Sequence, residues 1–247
     1  MSWLDKLLGG NILYYPGCLT KFVAKDLKKN YEKILELCGI EFIELSDKEV
    51  CCGSPALNAG AEDTFKMLAK KNFKVFKEHA IKKIIFSCPA CFKTFSQDYR
   101  ELFGEEWKIE CEYILITILR ALKEGKIKIK RKFKERVTFH DPCYLARYSE
   151  IINEPREILK MLGFKIVEME FYGKNTFCCG GGGGLQSNYQ ALANKIAEER
   201  INQAKKIKVK TIITSCPLCY LHLKRNSKGI KVMEISDIII SAIEEKK

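Results

Sequence analysis

The amino-acid sequence predicts an α/β fold made of two tandem duplicated units, each a parallel sheet with helices on its faces. Three observations predict this architecture. A pattern of cysteines occurs twice with nearly the same spacing, short apolar runs alternate with stretches of helical periodicity, and several of the repeated cysteines directly follow an apolar run. Alternation of strands and helices is typical of parallel sheets that are covered by helices.

The cysteine pattern accounts for ten of the twelve cysteines. In each copy a single cysteine precedes an adjacent Cys-Cys pair and then a Cys-x-x-Cys pair, and corresponding cysteines are 125 to 128 residues apart. The first copy contains Cys18, Cys51, Cys52, Cys88 and Cys91, and the second contains Cys143, Cys178, Cys179, Cys216 and Cys219. We therefore predict a tandem duplication, with the first repeat at residues 1–125 and the second at 126–247.

The first repeat alternates predicted strands and helices along its whole length. Short apolar runs predict the strands, and apolar residues three or four positions apart predict helices with one buried face. The predicted elements are strand Asn11–Tyr15, helix Phe22–Leu37, strand Glu41–Leu45, helix Glu62–His79, strand Lys83–Ser87, helix Phe92–Phe103, strand Lys108–Tyr113 and helix Ile116–Lys123. Cys38 and Cys111, which have no counterpart in the repeat, continue apolar stretches and are predicted to be core residues.

The second repeat has the same alternation. Its predicted elements are strand Arg136–His140, helix Pro155–Leu162, strand Lys165–Glu170, helix Tyr189–Lys205, strand Thr211–Ser215, helix Leu218–Lys224, strand Ile230–Ile235 and helix Ile238–Glu244. The lysine-rich segment Lys123–Arg136 joins the repeats and is predicted to be an exposed edge strand or a linker, because lysines protect sheet edges. A docking patch for an acidic redox partner is the alternative for this segment.

The predicted strand ends bring the repeated cysteines together. In each Rossmann-like parallel-sheet unit, the single cysteine and the Cys-x-x-Cys pair lie just beyond a strand, and the Cys-Cys pair lies in a loop between a strand and a helix. Open α/β sheets bind their ligands at this carboxyl edge. Pro89 and Pro217 are suited to the first position of a helix. Each Cys-x-x-Cys pair is therefore predicted at a helix start, where the dipole favours a thiolate.

Three kinds of chemistry are compatible with the cysteines. Zinc takes four tetrahedral ligands, and a Cys-x-x-Cys pair supplies two of them. Five cysteines per repeat exceed that number, and adjacent cysteines reach different irons of a cluster more readily than one small ion, so an iron–sulfur cluster is favoured. Disulfides are the third interpretation, which the absence of a readable export signal disfavours.

The pattern resembles the CCG motif of the cysteine-rich domain family, which includes the B-type and D-type subunits of heterodisulfide reductase and the iron–sulfur subunits of glycolate and lactate oxidases. The residues that carry the resemblance are Tyr15-Pro16-Gly17-Cys18, His140-Asp141-Pro142-Cys143-Tyr144, Glu154-Pro155-Arg156-Glu157, Cys178-Cys179-Gly180 and Cys216-Pro217-Leu218-Cys219. The resemblance implies two [4Fe–4S] clusters of a non-cubane kind, each held by the five cysteines of one repeat. Some members hold zinc in one motif, so the resemblance leaves zinc open for one site.

The resemblance also implies a function. An oxidoreductase subunit similar to the B-type subunit of heterodisulfide reductase would reduce a disulfide or a thiol-linked substrate at a cluster. No C-x₂-C-x₂-C-x₃-C-P run occurs, so the electrons are expected from a ferredoxin-like or flavoprotein partner in a hetero-oligomer. Two alternatives stay open: a non-catalytic electron-relay subunit of a lactate or glycolate dehydrogenase complex, and a zinc-stabilised scaffold protein.

Two smaller features of the second repeat are candidate site residues. Gly180, Gly181, Gly182 and Gly183 are expected to let backbone amides approach the cofactor and to leave room for a substrate, so the second site is predicted to be the more open one. His140 lies three residues before Cys143, where the first repeat has Tyr15. It is a candidate proton donor to a leaving thiolate, with a structural histidine as the alternative.

Composition excludes several classes of protein. The net charge of +12 permits nucleic-acid binding, but no aromatic platform or recognition helix accompanies it, so no nucleic-acid partner is expected. No apolar run approaches the length of a membrane helix, and no signal peptide is readable, which predicts a cytoplasmic protein without membrane insertion. Apolar residues within Met1–Gly10 are candidates for an anchor to a partner subunit or for packing on the chain itself.

Overall fold

The computed structural model describes residues 10–244 and contains two parallel sheets. The anchor considered for Met1–Gly10 lies outside the described residues, apart from Gly10. The strands are β1 Asn11–Tyr15, β2 Ile81–Phe86 and β3 Glu110–Tyr113 in the first sheet, and β4 Arg136–Phe139, β5 Lys165–Ile166, β6 Thr211–Thr214 and β7 Lys231–Glu234 in the second. Their spatial orders are β1-β2-β3 and β5-β4-β6-β7. The predicted α/β class with parallel sheets is confirmed.

The two sheets have the same topology except at one edge. Strands β1, β2 and β3 correspond to β4, β6 and β7, and every pairing is parallel. The position of β5 is taken in the first sheet by Ile43 alone, which forms a bridge to Leu13. The amide of Ile43 donates to Ile12 O over 2.8 Å, and Ile43 O accepts from Tyr14 N over 3.0 Å. The duplication predicted from the cysteine spacing is therefore also present in the strand order of the two sheets.

Both predicted edge strands are shorter than expected, and the cause is the same in both repeats. The prediction of strand Glu41–Leu45 is wrong except for the bridge at Ile43, and the strand predicted to reach Glu170 ends at Ile166. Just past the paired residues, Glu44 forms an ion pair with Lys28 over 2.8 Å, and Glu168 forms one with Arg156 over 2.7 Å. In both repeats, therefore, an ion pair links the segment just past the edge strand to a helix.

The helices cover both sheets. They are α1 Cys18–Phe22, α2 Lys25–Leu37, α3 Ser54–Asn58, α4 Glu62–Glu78, α5 Pro89–Lys93, α6 Tyr99–Phe103, α7 Ile114–Lys123, α8 Cys143–Ala146, α9 Asn153–Met161, α10 Leu185–Asn188, α11 Gln190–Lys206, α12 Pro217–Asn226 and α13 Ile235–Ile243. A π-helical turn, Thr94–Asp98, joins α5 to α6, and 3₁₀ turns occur at Gly104–Glu106 and Gly173–Asn175.

Several predicted helices differ from the observed ones at their starts, and two of these differences involve the repeated cysteines; the last helix also begins three residues earlier than predicted, at Ile235 instead of Ile238. The helix predicted from Phe22 to Leu37 is interrupted at Val23 and Ala24, so that the short helix α1 can carry Cys18 at its first residue. The helix predicted from Phe92 begins three residues earlier, at Pro89. Proline fits this first position because it has no amide hydrogen to leave unpaired.

One hydrophobic core extends across both repeats, and a smaller second cluster, which includes Ile201 and Leu223, lies within the second repeat. Helix α13 of the second repeat packs against α2 of the first, and α9 packs against α7. The same core contains Phe95 and Tyr99 of the first repeat together with Phe139 and Ile239 of the second. Burial of apolar surface stabilises folds by about 25 cal/mol per Å². Because the core is continuous, this contribution also holds the two repeats to one another.

The junction segment is a linker rather than a strand. Between α7 and β4 the amides of Lys130 and Arg131 both donate to Ala242 O, over 2.9 and 3.0 Å, and Phe133 N donates to Leu162 O over 2.8 Å. The lysine-rich segment is thus fastened to the second repeat by its backbone. Of the helices in residues 10–244, none is both long enough and apolar enough to span a bilayer.

Candidate metal centres

The repeated cysteines lie at the carboxyl edges of the two sheets, as the strand ends predicted. Cys18 follows β1 and Cys143 follows β4, and each is the first residue of a short helix. Cys88 and Cys216 are the residues immediately before α5 and α12, and Pro89 and Pro217 occupy the next position. The Cys-Cys pairs lie in loops. In both repeats, therefore, sulfurs come from the start of a short helix, from a loop and from the start of a helix that begins with proline.

In the first repeat the five sulfurs are neighbours in a row. Cys18 lies beside Cys51, Cys51 beside Cys52 and Cys88 beside Cys91, close enough for each thiol to shift the pKa of its neighbour. Cys91 Sγ lies 3.4 Å from Cys52 Sγ and closes the gap between the two pairs. We call these five cysteines the first site.

The second repeat reproduces this row. Cys143 lies beside Cys178, Cys178 beside Cys179 and Cys216 beside Cys219, close enough for each pair to be coupled in its pKa values. Cys219 Sγ lies 3.2 Å from Cys179 Sγ, at the position of the contact between Cys91 and Cys52 in the first repeat. We call these five cysteines the second site.

One cysteine in each row is strongly acidic. Hydrogen bonds from the thiols on either side lower the pKa of Cys51 to about 2, and the same arrangement lowers the pKa of Cys178 to about 2. The amides of Gly53 and Gly180 add to the effect. The neighbouring thiolate, together with burial, instead raises the pKa of Cys52 and of its counterpart Cys179. Thiolates are the metal-binding form of cysteine, so each row already holds one ligand in the required state.

The arrangement of the sulfurs fits a polynuclear group better than a single ion. All twelve cysteines are free thiols. A tetrahedral zinc ion with bonds of about 2.3 Å needs four sulfurs about 4 Å from one another. Within residues 10–244 no four ligand atoms of His, Cys, Asp or Glu are grouped so closely, and the one group of three consists of His140, Cys179 and Cys219. A row of five soft donors around a shared space suits a cluster of several irons.

Neutral hydrogen bonds hold the loop that leads into the first Cys-Cys pair. Asn72, fully buried in α4, accepts from Val50 N over 2.9 Å through Oδ1. Its Nδ2 donates to Cys51 O over 3.2 Å and to the hydroxyl of Tyr99 over 3.0 Å. Tyr15 O–H donates to Val50 O over 2.7 Å. One amide and two phenols therefore fix the backbone of this loop.

In the second repeat a buried guanidinium holds the loop that leads into the Cys-Cys pair. Arg200 of α11 is fully buried, and its Nε donates to His140 Nδ1 over 3.0 Å. One terminal nitrogen donates to Phe171 O over 2.8 Å and to Gln203 Oε1 over 2.7 Å, and the other donates to Thr176 Oγ1 over 3.5 Å. Burial lowers the pKa of Arg200 to about 10, which leaves the side chain charged at neutral pH.

His140 lies between this guanidinium and the second site. The residue is 1% exposed, and one of its ring nitrogens lies within 4.8 Å of the sulfurs of both Cys179 and Cys219. Burial, followed by the charge of Arg200, lowers the pKa of His140 well below its usual value. A neutral ring whose Nδ1 accepts from Arg200 carries its hydrogen on Nε2, and Nε2 has no partner in the structure. The role of His140 as a proton donor stays a prediction.

A second buried ion network fixes the loops around Cys143. The carboxylate of Asp141 is 1% exposed and accepts two hydrogen bonds from Arg156, over 2.7 and 2.9 Å. Arg156 also donates two to Glu168, over 2.7 and 3.0 Å. Asp141 accepts from Gly173 N over 2.8 Å as well, and Thr176 Oγ1 donates to Asp141 O over 3.1 Å. The strand end before Cys143 is thereby tied to the segment that leads into Cys178.

Two of the four candidate glycines contact sulfur. Gly180 N donates to Cys178 Sγ and Gly181 N donates to Cys179 Sγ, each over 3.3 Å. Gly180 has φ +79°, and a Cβ there would lie 2.8 Å from Ala193 O, so only glycine fits. Gly182 and Gly183 make no such contact, and a Cβ on Gly183 would meet only open space. The role of these four residues in cofactor binding stays a prediction.

Exposure of the cysteines contradicts the expectation that the second site is the more open one. Cys18 is exposed, whereas its counterpart Cys143 is half-buried, and Cys88 is half-buried where Cys216 is buried. The physical reason is that the glycine run continues into the short helix α10 instead of leaving a gap. The amides of Gly180 and Gly181 approach sulfur, in the manner that the glycine run predicted, but the cysteines of the second site are not more exposed than those of the first.

The two sites are adjacent across the junction between the repeats. Helix α8, which begins at Cys143, packs against α5, which carries Cys91, and α1 contacts α12. The fully buried hydroxyl of Tyr113 hydrogen-bonds Ser215 O and lies 3.5 Å from Ser87 O. Ser87 and Ser215 are the residues immediately before Cys88 and Cys216. A single phenol therefore contacts the backbone next to a ligand of each site.

The remaining cysteines and histidines lie apart from the two rows or are occupied. Burial raises the pKa of both Cys38 and Cys111 to about 12, which agrees with their predicted place in the core. His79 is half-buried and bonds Val75 O. His222 is buried near Gly181 and donates to Ala193 O over 3.1 Å.

Sequence reasoning missed Asn72 and Arg200, which hold the loops before the two Cys-Cys pairs. Their positions differ by 128 residues, the same offset as the last two cysteines of the repeat. A polar residue at the same place on a predicted buried helix face, in both copies, was the signal that could have found them.

Comparison with known proteins agrees with the cysteine pattern. A family model described as a cysteine-rich domain, CCG, matches the chain twice, at residues 12–96 and 137–224. The chain belongs to this family. Each match contains one complete set of five cysteines, so the family's repeating unit and the site coincide.

Curated relatives of this cysteine-rich domain protein are named as redox proteins. Over 235 residues the chain is 32% identical to the D-type subunit of the dihydromethanophenazine:CoB–CoM heterodisulfide reductase of Methanosarcina acetivorans, a match that covers 93% of this chain and 58% of the relative. It is 33% identical over 220 residues to an uncharacterized iron–sulfur protein of Methanocaldococcus jannaschii, covering 89% of this chain and 42% of the relative. The chain spans about half the length of the curated relatives it matches.

A solved structure shares the fold. A hypothetical protein from Helicobacter pylori matches with a TM-score of 0.66 at 13% sequence identity, over 96% of this chain and 50% of the other. At this identity the likeness shows the architecture alone.

Proposed function

We propose that the protein is an iron–sulfur oxidoreductase subunit that holds two [4Fe–4S] clusters of a non-cubane kind, one in each site, and that it reduces a disulfide or thiol-linked substrate. The observation that carries this proposal is the row of five neighbouring sulfurs at the carboxyl edge of each sheet. Relatives named as a heterodisulfide reductase subunit and as iron–sulfur proteins support the same chemistry.

The residues around the sulfurs have defined tasks in this proposal. Bound clusters supply one-electron transfer and an iron able to bind a thiolate sulfur. The five cysteines of a site bind the irons, and the amides of Gly180 and Gly181 donate to cysteine sulfurs of the second site. Burial of Cys52, Cys91 and their counterparts keeps water from the inner side of each site.

Apolar side chains near both sites are suited to contact a substrate or a partner. Phe22 and Val23, at the end of the helix that begins at Cys18, are 67% and 65% exposed. Tyr148 is 53% exposed five residues after Cys143, and Tyr189, past the glycine run, is 68% exposed. Exposed apolar groups of this size mark contact surfaces. The expected partner is a ferredoxin-like or flavoprotein subunit that supplies electrons.

Metal analysis of anaerobically purified protein tests the clusters. Two clusters require about eight irons and a similar amount of acid-labile sulfide per chain. Zinc in place of iron in both sites would contradict the proposal and favour the zinc-stabilised scaffold. Iron in one site with zinc in the other would restrict the proposal to one cluster.

Electron paramagnetic resonance then separates a disulfide reductase from a relay subunit. A relative named EtfAB:quinone oxidoreductase, from Syntrophomonas wolfei, is 28% identical over 247 residues and favours a relay as the second candidate function. In a reductase, oxidised protein treated with a substrate thiol should give a new signal, broadened when the thiol carries ³³S. A relay would show the same spectrum with and without thiol.

A further inference from the structure

The two sites differ in the charge of the groups behind their sulfurs. At equivalent positions of α4 and α11, the first site has the neutral Asn72 and the second has the cationic Arg200. Arg200 is linked to the second site through His140, whose Nδ1 accepts from Arg200 Nε and whose ring has a nitrogen within 4.8 Å of the sulfurs of Cys179 and Cys219. The hydrogen bonds of Arg200 all go to neutral acceptors, so its charge has no direct carboxylate partner.

Asp141 and Glu168 act on the guanidinium of Arg200 from a distance, but neither of them hydrogen-bonds it. Asp141 and Glu168 both bind Arg156, which donates two hydrogen bonds to each of them. At the border of the first site Glu49 acts electrostatically on Tyr15, and it forms an ion pair with Lys21 over 3.4 Å. Among the described residues, the side chains that hold the first site, Asn72 and Tyr15, are neutral, whereas the second site has the buried cation Arg200.

The sites also differ in hydrogen-bond donors. Tyr15, the first-site counterpart of His140, donates its hydroxyl hydrogen to Val50 O and has none left for sulfur. His140 Nδ1 accepts from Arg200, which places the ring hydrogen on Nε2. That buried Nε2 has no protein partner, and the ring lies beside Cys179 and Cys219. An N–H beside sulfurs with no other acceptor is a donor available to the second site.

We propose that the second site holds the cluster with the higher reduction potential, because Arg200 and the Nε2–H of His140 stabilise added negative charge there. Net charge and hydrogen bonds to sulfur are the factors that set the potentials of iron–sulfur clusters. Electrons from the partner subunit then pass one at a time from the first site, which becomes oxidised, to the second, which becomes reduced. This inference rests on the proposed function, since it requires a cluster in each site.

The difference in potential gives electron transfer between the two sites a direction. The contacts of α5 with α8 and of α1 with α12 place the two sites side by side, which suits transfer between them. The more exposed first site is then the entry for electrons, and the second site is where a disulfide takes up two electrons and two protons to give two thiols. His140 and Arg200 are positioning residues in this scheme, because they act on the cysteine sulfurs.

Single-site proteins give the direct test. The variant Cys51→Ala/Cys52→Ala keeps only the second site, and Cys178→Ala/Cys179→Ala keeps only the first. A redox titration followed by electron paramagnetic resonance measures the potential of each. At the midpoint potential of the first site, we expect the ratio of reduced to oxidised cluster in the second site to be at least about ten. This ratio corresponds to a potential difference of about 59 mV for one electron. Equal potentials, or the reverse order, would overturn the inference.

Substitutions in the protein that keeps only the second site test the two residues. Arg200→Gln removes the charge, and we expect the ratio of reduced to oxidised cluster at a fixed potential to fall about tenfold. Arg200→Lys, which restores the charge, should recover most of that loss. Arg120→Gln is the control for charge, because Arg120 is half-exposed and pairs with Glu112. An unchanged potential in Arg200→Gln would contradict the assignment.

Isotope labelling tests the histidine without relying on the arginine variants. In protein grown with ¹⁵N-histidine, the reduced second site should show a hyperfine coupling to a histidine nitrogen that is lost in His140→Phe. The control is His222→Gln, since His222 Nε2 already donates to Ala193 O. A coupling that persists in His140→Phe contradicts the donor role. Protein without iron would contradict the proposed function itself, whereas iron-loaded sites with equal potentials contradict this inference alone.

Discussion

The first and second sites have the same sulfur framework but different supports. Both rows of five cysteines begin at a short helix, pass through a loop and end at a proline-started helix. Behind the first row are an amide and two phenols, and behind the second are a guanidinium and an imidazole. The duplicated fold therefore fixes where the sulfurs lie, and a few buried polar residues decide the electrostatic environment of each row.

The difference extends to the ion pairs that end the edge strands. Lys28 and Arg156 are at equivalent positions, 128 residues apart, and each pairs with a carboxylate that follows the edge strand. The side chains of Lys28 and Glu44 are about a quarter exposed, whereas Asp141 beneath Arg156 is 1% exposed. Glu168, which is 30% exposed, is as accessible as Glu44, but the second repeat adds the buried carboxylate of Asp141 to the pair, which makes this repeat the more dependent on its ions.

The largest expected effect comes from breaking that buried network. Arg156→Met leaves the carboxylate of Asp141 buried with Gly173 N as its only remaining donor, which should lower the free energy of unfolding by about 3–5 kcal/mol. Lys28→Met, the equivalent change in the first repeat, should cost about 1 kcal/mol or less. Anaerobic urea denaturation measures both. Equal losses of unfolding free energy in the two variants would contradict the expectation that the more buried ion pair contributes more to stability.

A smaller, pH-dependent effect is expected at the residues that end β3 and β7. Tyr113 ends β3, and its equivalent in the second sheet is the fully buried Glu234, which accepts from Tyr31 O–H over 2.6 Å and from Ser236 N over 2.7 Å. Burial raises the pKa of Glu234 to about 7 from its ordinary value of 4.5. The folded protein therefore binds this proton more tightly than the unfolded chain does.

The sign of the pH dependence follows from that difference. The contribution of Glu234 is complete below pH 4.5 and is lost as the pH rises to about 7, a change of about 3 kcal/mol in the free energy of unfolding. Glu234→Gln, which cannot ionise, should remove this part of the pH dependence. Urea midpoints of both proteins between pH 4.5 and 8 give the comparison. Parallel pH profiles would mean that Glu234 is not protonated in the folded protein.

The smallest expected effect distinguishes the two serines beside the Cys-x-x-Cys pairs. Ser87 Oγ hydrogen-bonds the hydroxyl of Tyr14 over 2.9 Å, whereas Ser215 Oγ has no partner, because Phe139 stands at the place of Tyr14. Ser87→Ala leaves the buried hydroxyl of Tyr14 unpaired and should cost about 1–3 kcal/mol. Ser215→Ala removes an unpaired hydroxyl and should leave the free energy of unfolding unchanged or slightly higher. The thermal midpoint should therefore be lower for Ser87→Ala than for Ser215→Ala, and the reverse order would contradict this prediction.

The sequence predicts the parts of the fold that repeat. The strand ends, the proline-started helices and the positions of all ten cysteines follow from periodicity and from the two matching copies, because each copy supports the interpretation of the other. The edge strands were overestimated, since their apolar pattern extends further than their backbone pairing. Ion pairs of Glu44 and Glu168 with helix residues end the strands, and such long-range contacts have no local signature.

The supports of the two sites were the least predictable part. Asn72 and Arg200 lie about 20 residues from the Cys-Cys pairs they hold, and only the comparison of the two helices, not either helix alone, singles them out. The openness of the second site was predicted wrongly, because loop composition does not show which residues cover a loop. Tyr113 has its role only because the two repeats pack against each other, which neither copy alone indicates.

Iron counting in the two single-site proteins tests the central claim most directly, namely that each repeat holds a cluster on its own five cysteines. Cys51→Ala/Cys52→Ala and Cys178→Ala/Cys179→Ala should each retain about half of the iron and sulfide of the wild-type protein, each with its own paramagnetic signal. Loss of all iron from both variants, or no loss from either, would contradict the assignment of one independent cluster to each repeat.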